Sequence, residues 1–298
     1  MLSKKDIQKE LGKGICIYPL HSHNIKENSI NLSIGKNAWA LGDGNVVKEN
    51  NKFTMERHGE QNNIRKLHKG KSAILSSGGK NFLILLPHVT TIVETSEVIG
   101  VSNSIGGTIH SKVGVANHGV GHIGTMLGPC FCGHMLVALH NITDEVISIP
   151  VGETFISVVF YYLKTPNFQN ENCNTSGHVE KLSELGVNIS PDTRKFLTDD
   201  WKCTFDGIRN KMLSSREFKL YKEELKHEKY KTIKGYLNPY NFLIGLVLFI
   251  IVLLLGMTAN YYDIKHDTNV WSDRFWTVLI SGIIIPVILK VSTIFKKK

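Results

Sequence analysis

Residues 85–115 read LLPHVTTIVETSEVIGVSNSIGGTIHSKVGV, and this stretch decides the fold. Its β-branched runs Val89–Val93 and Val98–Val101 are separated by short polar breaks, which is the pattern of short strands. Similar runs recur elsewhere, at Ile15–Tyr18, Ile30–Ile34, Ala73–Leu75, Phe82–Leu86, Met135–Leu139, Val146–Ile149 and Phe155–Tyr162. Many short strands without amphipathic helices between them predict a mainly β protein, either a barrel or a jelly roll.

Helices are predicted on both sides of these strands. Residues 3–12 favour a short helix with Ser3 as its N-cap. Beyond a polar linker at 166–177, the segments 179–185, 191–197 and 205–230 favour helices, and the last of them is highly charged. We therefore divide the chain into a β-barrel domain at 1–165, a polar linker with a charged helical stalk at 166–238, and a third region at 239–298.

The third region contains two long apolar runs. Residues 242–257 read FLIGLVLFIIVLLLGM, and residues 275–289 read FWTVLISGIIIPVIL. About 20 predominantly apolar residues suffice to cross the hydrocarbon core of a bilayer as a helix. The sequence therefore predicts two transmembrane helices, at about 241–261 and 275–295, joined as a hairpin with the lipid bilayer as a partner.

The charge distribution predicts an orientation for this hairpin. The chain of 298 residues has a formal net charge of +9, with 42% hydrophobic and 20% charged residues, a composition that excludes a disordered chain. Positive charge concentrates at 211–234 and 290–298, on the outer flanks of the two apolar runs. The positive-inside rule then predicts a two-pass protein of the inner (cytoplasmic) membrane with both termini in the cytoplasm. We expect this charge to meet lipid headgroups, and we expect no nucleic-acid partner.

Five segments carry a resemblance to a known family. Near the N-terminus MLSKKDI is followed by SINLSIG. The stretch at 85–115 leads to GTMLGPCFCGHMLVALHN, and the last predicted strand lies in IPVGETFISVVFYYL. Together they resemble the dCTP deaminase and dUTPase superfamily of trimeric β-barrels over residues 1–163. The resemblance implies a homotrimer with nucleotide sites between subunits, a phosphorylated nucleotide-like ligand, and no cofactor other than Mg²⁺ accompanying a bound nucleotide.

The resemblance also implies a nucleotide site whose catalytic acids are absent. The family's phosphate turn falls on residues 108–114, and Lys112 matches its basic position. Gly128 replaces the water-activating aspartate of the dUTPases, and Ala138 replaces the glutamate of the deaminases. The predicted nucleotide-binding residues are Thr108, His110, Ser111, Lys112, Gly128, Phe131 and Ser157, with Phe131 as a stacking surface and Ser157 in place of a glutamine of the last strand.

The residues themselves agree with a loss of catalysis. Deamination and phosphate hydrolysis both need water activated by a positioned base, normally a carboxylate. Between Glu97 and Asp144 the sequence has no Asp or Glu, whereas it has several histidines and Lys112. The stretch is therefore suited to binding an anion, although His110 or His134 acting as a base remains an alternative.

A metal site is a further alternative. The five candidate ligands combine an HxxxH with a CxCxH pattern, at His118, His122, Cys130, Cys132 and His134. Period-two spacing places the last three on one strand face. The other interpretation is a hairpin packed by small residues with histidines at its edge, and we assign no metal ligand.

These observations leave three functions open. The first is a catalytically degenerate nucleotide-binding sensor or effector that controls the two-helix membrane module, an arrangement similar to effectors of anti-phage defence. The second is an active membrane-tethered pyrimidine nucleotide deaminase or dUTP diphosphatase with an unusual base. The third is a scaffold without a ligand.

Overall fold

The structure is a computed structural model. It describes residues 1–49, 52–56, 64–121, 124–167, 174–175, 179–236, 239–266 and 270–279. The chain forms two compact units, Met1–Glu223 and Glu224–Lys298.

Strands make up most of the first unit. They are β1 (Ile15–Tyr18), β2 (Ser29–Ala40), β3 (Gly44–Glu49), β4 (Lys52–Met55), β5 (Ile64–Leu67), β6 (Ile74–Ser77), β7 (Lys80–Leu85), β8 (Thr90–Val101), β9 (Ile105–Ser111), β10 (Val120–Gly121), β11 (Met126–Leu127), β12 (Phe131–Asn141), β13 (Ile147–Pro150), β14 (Thr154–Tyr162) and β15 (Asn174–Thr175).

Helices begin the chain and follow the strands. They are α1 (Lys4–Glu10), α2 (Val113–Ala116), α3 (Val179–Glu184), α4 (Pro191–Leu197), α5 (Phe205–Ser214), α6 (Arg216–Tyr236), α7 (Pro239–His266) and α8 (Val270–Leu279), with short 3₁₀ helices at Ser22–Asn24 and Asp200–Lys202. Ser3 caps α1 in a capping box with Asp6, as the sequence predicts.

One nine-stranded sheet forms the body of the first unit. Its strand order is β10-β12-β8-β2-β14-β9-β11, β1 also pairs with β8, and β15 pairs with β12. All of these pairs are antiparallel except β12 with β15. The central strand β8 has the sequence TTIVETSEVIGV, whose β-branched side chains suit a strand that is buried on both faces. The predicted mainly β fold is therefore confirmed.

Two smaller sheets lie beside this body. One has the order β13-β7-β6, and the other has the order β4-β3-β5. They share an apolar cluster in which Val46, Phe53 and Leu67 from the second sheet pack with Ile84 and Leu86. This packing fixes the position of Phe53, which also forms part of the wall of a cavity.

The segment 179–203 packs against the main sheet. Val179, Leu182, Val187 and Leu197 from α3, α4 and their connection form one apolar cluster with Trp39 and Ile92 of the sheet. We call residues 179–203 the cover, and we call the sheet surface beneath it the covered face.

The long charged helix predicted at 205–230 is two helices in the structure. Ser215 leaves the helical conformation with a ψ of 148°, so that α5 ends at Ser214 and α6 begins at Arg216. The Ser215 hydroxyl accepts a hydrogen bond from the Phe218 N–H and donates one to the Met212 carbonyl. α5 packs on the sheet, where the Met212 thioether accepts a hydrogen bond from the Ile17 N–H and the Arg209 guanidinium donates to the Gly12 carbonyl.

The predicted membrane hairpin requires a correction. Among the described residues, no helix combines the length and the apolar character that crossing a bilayer requires. In α7 the described side chains from 249 to 266 pass from an apolar half into a polar half that contains Asn260, Asp263, Lys265 and His266. Most of the second predicted span lies outside the described residues, since α8 ends at Leu279. This finding contradicts the predicted two-pass location in the inner membrane with cytoplasmic termini.

Candidate nucleotide site

A cavity of about 680 Å³ opens beside Lys112 in the first unit. Its wall contains apolar side chains together with positively and negatively charged ones. The residues lining it are Phe53, Lys112, Gly114, Val115, His118, Val120, Thr143, Glu145, Val146, Ile147, Ser148, Ile149, Pro150, Glu153 and Thr154. A mostly apolar cavity of this size with a few polar groups is typical of a small-molecule site.

Lys112 has a fixed position in this wall. It lies between β9 and α2, and its backbone N–H donates to the Phe155 carbonyl at 3.0 Å. Its ammonium donates to the Thr154 hydroxyl at 2.6 Å. Because both partners belong to one end of β14, the positive charge is held at the mouth of the β9–α2 turn, where the resemblance predicts a phosphate contact.

The charge of the cavity differs from the sequence expectation. The stretch between Glu97 and Asp144 is free of carboxylates in sequence, but the fold brings Glu145 and Glu153 into the same wall as Lys112. The cavity is therefore mixed in charge.

Three other predicted residues meet on neighbouring strands. β9 and β14 pair with Ser157 opposite His110 and with Val159 opposite Thr108, so these side chains share one face. The Thr108 hydroxyl lies 3.0 Å from His110 Nε2, and the Ser157 hydroxyl donates to Asn31 Oδ1 at 2.7 Å. This polar row contributes none of the residues that line the Lys112 cavity. Ser111, opposite Ile156, continues the same strand pair.

Gly128 lies in open space. It follows β11, which pairs with β9 so that Met126 is opposite Thr108. A Cβ built at Gly128 meets no other described atom within 4 Å. Phe131 begins β12 a few residues later and is half-buried. The position that the resemblance assigns to the dUTPase acid therefore has space for a side chain.

Ala138 is in the opposite situation. In the main sheet it pairs with Ile92, which pairs in turn with Trp39, so the three side chains form one row across β12, β8 and β2. Ala138 packs against the apolar cluster that the cover completes. The position that the resemblance assigns to the deaminase acid is therefore occupied by a partly buried methyl group beside apolar side chains.

The covered face also has a polar end, which the sequence analysis missed. Glu94, opposite Leu136 in the sheet, is 1% exposed, and His134 is 3% exposed. Glu94 accepts hydrogen bonds from the side chain and the backbone of Asn37. The His134 Nδ1–H donates to the Thr95 carbonyl at 2.8 Å and lies 3.2 Å from Glu94 Oε1. The signal in the sequence is a glutamate in the middle of a strand that is rich in β-branched residues.

Burial controls the ionisation of this pair. It raises the pKa of Glu94 to about 7, although the hydrogen bonds from Asn37 and the nearby charge of Lys202 lower this pKa. Burial lowers the pKa of His134 to about 4, although the hydrogen bond to the Thr95 carbonyl raises this pKa. His134 is therefore neutral at pH 7, so its contact with Glu94 is not an ion pair. Its Nε2 is buried and has no hydrogen-bond partner among the described residues.

A second buried carboxylate, Glu97, has a structural role. It is 2% exposed and accepts hydrogen bonds from both the backbone N–H and the hydroxyl of Ser33, each at 2.8 Å. Burial raises its pKa, and the bonds from Ser33 oppose this effect. Glu97 joins β8 to β2 inside the sheet and does not line the Lys112 cavity.

The alternative metal site finds no support in the part of the chain that the structure describes. Within it, no three His, Cys, Asp or Glu residues come close enough to hold a metal ion. Cys132 and His134 are buried in β12, Cys130 occupies a turn with a φ of 60°, and His118 lines the Lys112 cavity. His122 lies outside the described residues.

Several solved structures are similar to parts of this chain. The dCTP deaminase from Agrobacterium tumefaciens is similar at 12% identity and a TM-score of 0.36, over 53% of this chain and 45% of that chain. The native dUTPase of EIAV is similar at 14% identity and a TM-score of 0.27, over 44% of this chain and 98% of that chain. A variant dUTPase of phage phi11 of S. aureus is similar at 12% identity and a TM-score of 0.27, over 39% of this chain and 87% of that chain. No curated protein matches.

The family itself is shown by the sequence. The dCTP deaminase-like family matches residues 1–163, the range that the resemblance predicts. This range is more than half of the 298 residues and contains the Lys112 cavity, the polar row and both acid positions. The chain therefore belongs to the dCTP deaminase-like family.

Proposed function

We propose that residues 1–163 bind a nucleotide without deaminating or hydrolysing it, and that the bound state is the signal of a sensor or effector. The observation that carries this proposal is Ala138, which stands at the deaminase acid position and packs into the apolar cluster under the cover. A carboxylate normally activates water in this kind of pocket. Neither Ala138 nor Gly128 supplies one.

Binding has more support than catalysis. The cavity beside Lys112 has about 680 Å³, enough for a nucleotide, and its one lysine is fixed at the turn that matches the family's phosphate turn. We place the phosphates at Lys112, with Mg²⁺ as their counter-ion in solution. In the family resemblance the site lies between subunits, so we also propose a homotrimer.

The predicted setting in anti-phage defence depended on the membrane hairpin. Since the described residues contain no helix that crosses a bilayer, that setting loses its support. The proposal is therefore limited to nucleotide recognition and to a response in the same chain.

The competing function is an active deaminase or diphosphatase with an unusual base. One observation favours it: Glu94 and His134 lie on the face that carries Ala138, and Glu94 is opposite Leu136, two residues along β12 from Ala138. Both groups are buried beneath the cover, however, so a substrate has no access to them in this structure.

A binding survey with product analysis separates the two functions. The purified chain is titrated with dCTP, dUTP, dATP, dGTP and dTTP in the presence of Mg²⁺, and the same mixtures are analysed for deaminated or hydrolysed products. We expect saturable binding of at least one nucleotide and no product. Turnover near 1 s⁻¹, within the ordinary range of enzymes, would establish the competing function. Absence of binding to all five would refute the proposed one.

A further inference from the structure

Helix α7 uses one of its faces to pack on α8. Between 249 and 266, the residues of α7 that are buried or half-buried are Val252, Gly256, Ala259 and Asp263. Their spacing of four, three and four residues places them on one face of the helix. A Cβ built at Gly256 would lie 3.1 Å from the Phe275 ring and 3.2 Å from the Trp276 ring, both in α8. α8 therefore packs along this face.

The opposite face of α7 is apolar and exposed. An α-helix turns by about 100° for each residue, so a second stripe with three-four spacing lies on the side of α7 that points away from α8. We call this stripe the seam. Its members are all exposed, and they are Val247, Ile250, Leu254, Met257, Tyr261 and Ile264.

The spacing of the seam is that of the a and d positions of a coiled coil. Apolar residues that alternate at three and four residues stay in contact with a partner helix when the helices supercoil. The pattern also continues into the polar half of α7, where Tyr261 and Ile264 follow the seam although Asn260 and Lys265 stand beside them. A lipid surface does not require this spacing, whereas a partner helix does. The seam therefore fits a helix.

The exposed apolar area of α7 is large enough for a stable interface. Between 247 and 264, eleven large apolar side chains are 38% to 75% exposed. Together they expose on the order of 800 Å², which is the area that each partner contributes to an interface of standard size. In a bundle of three helices each helix contacts two neighbours, so the side chains that flank the seam are covered as well.

The composition of the seam favours identical partners and three strands. Ile250 and Ile264 occupy d positions and Leu254 occupies an a position, a combination that favours three or four strands over two. Residues 247–262 contain no Asp, Glu, Lys or Arg. Copies of α7 that lie side by side in register therefore bring no like charges together over this length.

We propose that α7 joins copies of this chain as a parallel, in-register, three-stranded coiled coil along the seam. The occupant of the exposed face is thus the α7 helix of another copy. This element lies outside residues 1–163, so it is a self-association element separate from the trimer proposed for the family domain. It does not depend on nucleotide binding. α8 stays on the opposite face of α7.

Disulfide formation between copies of the full chain tests this proposal. Leu254 and Leu255 form a matched pair, because they are adjacent leucines with exposed fractions of 56% and 53%, and only Leu254 belongs to the seam. Leu254→Cys and Leu255→Cys are oxidised mildly and separated without reductant, with wild type as the control for the five native cysteines. We expect Leu254→Cys to give about tenfold more crosslinked chain, because a disulfide needs Cα atoms within about 7 Å.

A second pair of variants tests the direction of the helices. Val247→Cys and Tyr261→Cys are co-expressed, with an affinity tag on one of them. The two positions are about 21 Å apart along a helix, so parallel copies in register form 247–247 and 261–261 disulfides but no mixed disulfide. Predominantly mixed disulfides would overturn the parallel arrangement.

The remaining outcomes also decide the proposal. Equal crosslinking of Leu254→Cys and Leu255→Cys would overturn it, because the apolar faces would then associate without register. Absence of crosslinking at Leu254 would overturn it as well. Flotation of that protein with vesicles of phosphatidylcholine and phosphatidylglycerol would then identify lipid as the occupant. If Leu254→Cys fails to fold, Met257→Cys takes its place on the seam, again judged against Leu255→Cys.

Discussion

The two positions that the resemblance to the family assigns to a catalytic acid, Gly128 and Ala138, differ in their surroundings. At Gly128 only the side chain is missing, and the space around it is open. At Ala138, Trp39, Ile92 and the apolar side chains of the cover pack beside the methyl group. A carboxylate can thus return to the first position without a rearrangement, whereas at the second it would have to displace a packed layer. A carboxylate is therefore harder to accommodate at Ala138 than at Gly128.

The largest expected effect on the free energy of unfolding comes from a substitution at Ala138. Ala138→Glu places a carboxyl group beside the apolar cluster, at a partly buried position. We expect the free energy of unfolding to fall by about 3 kcal/mol, because the longer side chain must displace packed apolar side chains and its carboxyl group loses hydration. Chemical denaturation measures the loss. An unchanged free energy of unfolding would show that the cover leaves room at Ala138, and the contrast with Gly128 would fail.

The next effect concerns the pH dependence of Glu94 and His134. Burial raises the pKa of Glu94 from 4.5 to about 7, so its contribution to stability is present below pH 4.5 and is lost as the pH rises through 7. Burial lowers the pKa of His134 from 6.5 to about 4, so its contribution is present above pH 6.5 and is lost as the pH falls through 4. Between pH 4.5 and 6.5 the two effects cancel, because the folded and unfolded chains hold the same number of protons on this pair.

Substitution of either residue alone reveals the pH dependence that the other one gives to the free energy of unfolding. In Glu94→Gln the free energy of unfolding should fall as the pH drops from 6.5 to 4, by about 3 kcal/mol at most. In His134→Gln it should fall as the pH rises from 4.5 to 7, by a similar amount. Denaturation series over this pH range measure both. Parallel pH profiles for the two variants would show that burial of this pair does not control its ionisation.

Secondary structure could be predicted from the sequence where the local pattern was strong. Alternating β-branched residues predicted the strands around β8, β12 and β14, and Ser3 marked the start of α1. The sheet β3–β5 was missed, because residues 44–67 are mostly polar and only a few side chains such as Phe53 pack in its cluster. The break at Ser215 was missed as well, since a serine cap inside a charged helix leaves no strong mark in the sequence.

The covered face could not be predicted for a different reason. Glu94, His134 and Lys202 are far apart along the chain, and no periodicity links them. Local patterns predicted α3 and α4 as helices, but not the sheet face on which they pack. The sequence does show a glutamate, Glu94, in the middle of a strand rich in β-branched residues. Its partners depend on the tertiary arrangement alone.

The third effect tests the proposed phosphate contact at Lys112. Lys112→Ala removes a charge-assisted contact to the proposed phosphates, worth about 1.5 to 3 kcal/mol, and should weaken nucleotide binding about ten- to a hundredfold. Titration of wild type and variant measures the change. Lys80→Ala is the matched control, since Lys80 is an exposed lysine of the β6–β7 hairpin outside the cavity. Equal affinities in all three proteins would remove Lys112 from the site.

The smallest expected effect is at Gly128. Gly128→Asp introduces a carboxylate into open space, so the free energy of unfolding should change by less than about 0.5 kcal/mol. A loss as large as that of Ala138→Glu would show that Gly128 is as confined as Ala138, against the contrast drawn above. Thermal unfolding of the two variants side by side gives the comparison.

The most direct test of the central claim is the fate of the bound nucleotide. The protein is saturated with the nucleotide that binds best, incubated for hours with Mg²⁺, and denatured, and the released nucleotide is identified by chromatography and mass spectrometry. The account predicts that the nucleotide is recovered unchanged, with its base and all its phosphates intact. Recovery of a deaminated base or of a monophosphate in amounts that grow with time and exceed the protein would contradict it.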